Sequence, residues 1–150
     1  MQAALSALHS ETLNGRPEGQ DYTWFVQDRE CICDVLDSLT AEQASRVLRD
    51  GVATIAAHCF HIHFALASGN AQSRGETFSG TWESSWHVQV VTDAEWADLG
   101  HQIKSEFADN IRQFSQKADW DDEGETLGTC ALIPHMAFHL GAIRQLMKFL

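Results

Sequence analysis

Basic residues are scarce in this chain. Ten lysines and arginines stand against 21 aspartates and glutamates, for a formal net charge of −11 at neutral pH. Phosphate backbones and anionic bilayers repel such a chain, so neither nucleic acid nor a membrane surface is expected as a partner. Proline is scarcer still. Pro17 and Pro134 are the only two, which leaves room for long helices. The four cysteines, Cys31, Cys33, Cys59 and Cys130, include one Cys-x-Cys and no Cys-x-x-Cys. That argues against a zinc ribbon and for reduced thiols in a cytoplasmic protein. No apolar run approaches the length of a membrane span, and no basic start with a long apolar stretch marks a secretory signal. What is present is 150 residues, 44% of them apolar. That suffices for one domain, 1–150, with its own core.

Strict apolar–polar alternation persists nowhere, so strands are not expected. Helical spacing recurs instead. A short helix is expected over 2–13, then a turn around Asn14-Gly15. From Asp21, Phe25, Ile32, Val35-Leu36 and Leu39 predict one amphipathic helix over 22–39. Thr40 and Gln43 fit a capping box that starts a short helix to about Leu48. Thr54 caps a helix over 55–68, with Gly69 placed to end it. A long loop follows over 69–91, held down by Phe78, Trp82 and Trp86. A second capping box, Thr92 and Glu95, opens the clearest helix, 93–117, with Trp96, Leu99, Ile103, Phe107, Ile111 and Phe114 as its stripe. An acidic loop over 118–124 precedes a last helix over 127–150, with Leu132, Met136, Leu140, Ile143 and Met147 as its stripe. The expectation is an all-α, four-helix bundle with short extra helices and a long loop between the second and third long helices.

Eight histidines are many for this length. His135 and His139 are four apart, hence on one face of the last helix and inside its apolar stripe. Imidazoles in a core must find partners. A carboxylate or water could serve one, whereas one metal ion satisfies a pair. The third ligand should come from HCFHIHF in the 55–68 helix. His58 and His61 share a side bordering the stripe there, and His63 points elsewhere, towards a solvated rim. Three histidines with open positions resemble catalytic rather than structural zinc. No Glu-x-x-His occurs, which removes the ferritin-like di-iron pattern, and no His-Glu-x-x-His occurs, which removes the zinc-protease pattern. Three imidazoles suit zinc, nickel, copper and iron alike.

The segments TIAAHCFHIHFAL and HMAFHLGAIRQL, with SLTAEQASR and TWESSW…TDAEW, resemble the DinB/YfiT-like helical bundle proteins from about Thr23 onward. The last-helix pattern is the more specific, with His135 and His139 followed by Gly141 and Arg144-Gln145. The resemblance implies a four-helix bundle, often a homodimer, with three histidines holding zinc, nickel or a related divalent ion. His61, followed by Ile62, matches the family's first ligand, with His58 as alternate or neighbour. His135 and His139 match the other two. Characterised relatives include S-transferases and isomerases that use a low-molecular-weight thiol. A metal-dependent thiol (S-)transferase or hydrolase is therefore the implied enzyme. The alternative is a non-enzymatic dimeric helical module with structural histidines, or a small-ligand-binding bundle. One departure stands out: Pro134 precedes His135, so the helix either begins later or bends there.

The remaining candidates read as structural. Cys31 and Cys33 lie on different helix faces, and Cys59 reads as packing. Asp28 and Glu106 are expected in solvent rather than behind a ligand. Trp82, Trp86 and Trp96 could wall a pocket but read as packing. The run Asp119, Asp121, Asp122, Glu123, Glu125 reads as a solvated loop.

Overall fold

A computed structural model describes residues 2–27, 30–117 and 120–150. The described residues form six α-helices and no strand, so the protein is all-α. In chain order these are α1 (Gln2–Asn14), α2 (Ile32–Ser38), α3 (Ala41–Ala44), α4 (Ile55–Ser73), α5 (Asp93–Gln116) and α6 (Glu123–Met147). A single 3₁₀ turn, Ser84–Trp86, interrupts the long loop. α4 packs on α5 and α6, and α1 packs on the same two helices.

The stripes read from sequence are the buried faces. Ile55, Cys59, Ile62 and Leu66 of α4 meet Trp96, Leu99, Ile103 and Phe107 of α5 and Met136, Leu140 and Ile143 of α6 in one core. The three caps are also where the spacing put them. Thr40, Thr54 and Thr92 each accept an N–H three residues on, and Gln43 and Glu95 complete two capping boxes. Each such cap contributes about 1 kcal/mol.

Of the expected helix over 22–39, only Ile32–Ser38 is helical among the described residues. Glu11 of α1 is 1% exposed, and its carboxylate crosses to this segment. It accepts the N–H groups of Trp24 (2.9 Å), Phe25 (2.7 Å) and Val26 (2.9 Å). This clamp holds the chain in a non-helical path, and Tyr22, Trp24 and Phe25 stay exposed. Helix begins only at Ile32, where Asp34 reaches back to the Cys31 N–H at 3.1 Å and its thiol at 2.9 Å. α1, expected as a minor helix, takes the place in the packing that 22–39 was expected to fill. Asp28 lies outside the described residues.

Other boundaries move for local reasons. α3 ends at Ala44 rather than near Leu48, because Ser45 turns aside to accept the Val91 N–H at 3.0 Å. α4 runs through Gly69, whose bare Cα packs towards Leu132, and ends at Ser73, with Arg74 as its C-cap and Gly75 just beyond. Gly75 has φ +69°, and the N–H groups of Gly75 and Glu76 return to the carbonyls of Gln72 and Ala71, both at 2.9 Å. That is the Schellman arrangement a left-handed residue permits. α6 starts earlier than expected, since Asp122 caps it by accepting the Glu125 N–H at 2.7 Å. Glu123 and Glu125 of the acidic run therefore sit in a first helical turn, where the helix dipole favours negative charge. Asp119 of that run lies outside the described residues.

The expectation about membrane-length runs needs correcting too. α6 carries no Asp, Glu, Lys or Arg between Leu127 and Ile143, and by length and composition it could cross a membrane, with mean hydropathy 1.3. Apolar Leu127 and Phe138 on its outer face are exposed. The core helix of a soluble protein can meet the same criterion.

His9, the one histidine of α1, is fully buried. Its ring stacks on Phe107 at 4.2 Å, and neither ring nitrogen has a hydrogen-bond partner. Burial pushes its pKa down to about 4, partly offset by Asn110. The unfolded chain therefore binds a proton at this site before the folded one does. The contribution is intact above about pH 6.5 and shrinks as pH falls towards 4. His9→Phe is expected to flatten the stability–pH curve in that window by up to about 1.4 kcal/mol per pH unit. Urea unfolding at stepped pH reads this directly, and parallel curves for wild type and variant would refute it.

Candidate metal centre

α4 and α6 lie side by side, and this adjacency brings the two histidine clusters together. Nε2 of His61 lies 3.1 Å from Nε2 of His135, which lies 2.9 Å from Nε2 of His139. His61, His135 and His139 form a group whose ring nitrogens all lie within 4.8 Å of one another and could hold a metal ion. His61 and His139 are buried and His135 is half-buried. α6 runs unbroken through Pro134, so the helix neither starts late nor carries His135 out of reach of its partners.

The long loop builds the wall behind His61. Ser85 Oγ donates to the Trp82 carbonyl at 2.6 Å. Its single hydrogen is then used, so at 2.7 Å it must accept from His61 Nδ1. This fixes the proton of His61 on Nδ1 and leaves the Nε2 lone pair facing the other two rings. Trp86 stacks on His61 at 4.1 Å and Trp82 meets it edge-on at 4.5 Å. The Thr54 hydroxyl donates to the Gln89 carbonyl at 2.7 Å, tying the loop to the start of α4. Farther along, Phe78 packs edge-on against Phe64, and Gly80 passes so close that a Cβ there would lie 2.8 Å from the Phe64 ring.

His58 stands beside the group rather than in it. Its Nδ1 is 3.0 Å from Nδ1 of His139, and its ring meets Trp86 edge-on. A His139 that presents its Nε2 lone pair carries its proton on Nδ1, with His58 as the acceptor. Supports of this kind orient a ligating imidazole. His63 faces away, towards the acidic Asp98 and Glu106, as the spacing implied.

Electrostatics keep these rings neutral. Burial first, then the neighbouring imidazoles, pushes His61 down to about 4 and His139 to about 3. Burial also lowers His58 and His135. Neutral imidazole is the form that binds metal. The donor set fits an ion on chemical grounds. Without a cation, one N–H on His135 would have to serve both His61 and His139. Two zinc ligands at tetrahedral angles sit about 3.3 Å apart, close to the spacings here.

Spacing had signalled the histidines; Trp82 and Trp86, which read as packing, stand against His61, and Ser85 left no trace except its place between them. Trp96 is far from the site, donating to the Leu39 carbonyl at 2.9 Å. Cys59 is fully buried packing, its thiol pushed up to about 12 by desolvation. Glu106 departs from the expected solvated role, because it is half-buried and accepts from Asn70 at 2.8 Å.

Removing the Ser85 hydroxyl frees the His61 tautomer. Ser85→Ala is expected to weaken zinc affinity about 10- to 100-fold without unfolding the chain. Competition against a chromophoric chelator measures it, and unchanged affinity would remove Ser85 from the site.

Fold and site together define an all-helical protein with a histidine triad able to hold a metal ion. No family model, curated protein or solved structure matches the chain.

Proposed function

We propose that this is a divalent-metal-binding protein on a DinB-like four-helix bundle, with His61, His135 and His139 as ligands and zinc or nickel as the ion. The observation that carries the reading is the convergence of three Nε2 atoms from two helices, one with its lone pair fixed by the Ser85–Trp82 relay. The ring of contacts α1–α5–α4–α6 supports the bundle.

Three protein ligands leave a coordination position open, which suits catalysis better than structure. A bound ion would supply Lewis acidity, lowering the pKa of a thiol or water at that position. The chain's own part is to hold three neutral imidazoles, fix the His61 and His139 tautomers, and shield one side of the site with Trp82 and Trp86. The resemblance to the DinB/YfiT-like proteins supplies the reaction class, thiol (S-)transfer or hydrolysis, with a low-molecular-weight thiol as the co-substrate in the first case.

Elemental analysis of untagged protein, purified without added metal, tests the reading beside the His135→Ala/His139→Ala double variant. Near-stoichiometric zinc or nickel in the wild type, lost in the variant, is the expected result. No metal in the wild type, even after zinc and nickel are added back, would overturn it in favour of a non-enzymatic helical module.

A further inference from the structure

A cleft of about 940 Å³ opens beside His135, between α4, the C-terminal half of α5 and the N-terminal half of α6. His135 is the one member of the triad that lines it, and the one that is half-buried rather than buried. The other two are closed in from behind, His61 by Ser85 and Trp86 and His139 by His58. The candidate metal centre therefore meets the cleft through His135.

The wall next to His135 is apolar, from Phe64, Ala65, Trp82 and Leu132. Trp82 remains 56% exposed although its ring rests edge-on against His61. A large apolar surface left open beside a site is where an apolar ligand gains most. Farther out, polar groups are spent on one another. Asn110 donates to Asn70 at 2.9 Å, Gln113 donates to Asp109 at 3.1 Å, and Lys117 pairs with Glu125 at 2.7 Å. Lys117 is the one lysine or arginine of the described lining, so no cation is left over for an anion, in a chain of net charge −11. Gly128 keeps the cleft wide. It sits inside α6, where glycine costs about 1 kcal/mol relative to alanine. A Cβ there would meet no atom within 4 Å, so close helix packing does not require it.

We propose that this cleft is the substrate site of the metal centre, and that it selects an uncharged molecule with an aliphatic body, held along α6 with its reactive end at His135. Apolar burial supplies the affinity. The missing cation supplies the selectivity, because a carboxylate or phosphate would lose water and gain no partner. Gly128 precedes His135 by seven residues on α6, about 10 Å along the helix, which sets the length of the body. The volume suits a ligand of that size. The role of the reactive end rests on the metal reading; the selectivity of the cleft does not.

The test uses the full chain and three probes of one length: octan-1-ol, octanoate and 8-mercaptooctan-1-ol. In EDTA-treated protein, octan-1-ol is expected to bind saturably, shifting the backbone amide resonances of Gly69 and Leu132, which line the cleft. It should bind at least about tenfold more tightly than octanoate. Glu125→Gln leaves Lys117 without its carboxylate and should narrow that preference about threefold. Gly128→Leu should fold normally, as circular dichroism will show, and weaken octan-1-ol at least about tenfold by filling the space. In zinc-loaded protein, checked by elemental analysis, 8-mercaptooctan-1-ol should bind at least about tenfold more tightly than in metal-free protein, because its thiol reaches the ion. Equal binding of octan-1-ol and octanoate, indifference to either substitution, or no gain for the thiol on zinc loading would each overturn the proposal. Zinc uptake without octan-1-ol binding sinks the cleft alone. Protein that takes up no zinc sinks the metal centre, and with it the cleft's role as its substrate site.

Discussion

His61→Ala is expected to weaken zinc binding by about two to three orders of magnitude, and His58→Ala by only about 10- to 100-fold. The first figure follows from the apparent binding energy of four-ligand zinc sites, about 10–16 kcal/mol, which apportions roughly 3–4 kcal/mol to each ligand. About 1.4 kcal/mol is a factor of ten. The second is what removing an orienting partner costs when the ligands themselves remain. The geometry places His61 among the converging Nε2 atoms and His58 behind His139, Nδ1 to Nδ1 at 3.0 Å. Untagged protein titrated against a chromophoric chelator gives both values. Should His58→Ala cost as much as His61→Ala, the ligand set proposed above is wrong.

The largest effect on stability is expected from Glu11→Ala, about 3–5 kcal/mol in urea unfolding. Hydrogen bonds to a charged group contribute about 1.5–3 kcal/mol each, and Glu11 makes three, to Trp24, Phe25 and Val26. Simple addition overshoots, because the freed segment can turn some donors to water. Against a total stability of about 5–15 kcal/mol the loss is still severe. Burial acts to raise the Glu11 pKa, but the three N–H groups together outweigh it and hold the carboxyl below its usual range. Its contribution is therefore present above the ordinary carboxylate pKa and is lost as pH falls below it. Glu11→Gln keeps one acceptor oxygen and should fall between wild type and Glu11→Ala. A loss under about 1 kcal/mol for Glu11→Ala would mean that the clamp does not hold the segment.

Short-range regularities made much of this protein legible from its sequence. Capping boxes span three residues and helical stripes repeat every three or four, so α4, α5 and α6 could be located from neighbours alone. The four-residue step placed His135 and His139 together for the same reason. Periodicity could not choose between His58 and His61, because residues three apart share a face. Their separation comes from α6 and the Ser85 turn, elements distant in sequence. The non-helical path from Asp21 was illegible for a similar reason. Phe25, Ile32 and Leu36 do have helical spacing, but a carboxylate more than ten residues upstream captures the N–H groups of Trp24, Phe25 and Val26. Gly69 misled in the opposite direction. Its role is set by the approach of Leu132 and not by φ.

Pro134 has a mechanical consequence. It has no N–H to offer the Cys130 carbonyl four residues back, so α6 is joined at that point by one strut fewer than elsewhere. His135 and His139 both lie beyond the gap, while Gly128 and Leu132 lie before it. Any bending of α6 is expected to concentrate at Pro134, on the near side of both imidazoles, and so to leave the pitch that spaces them unchanged.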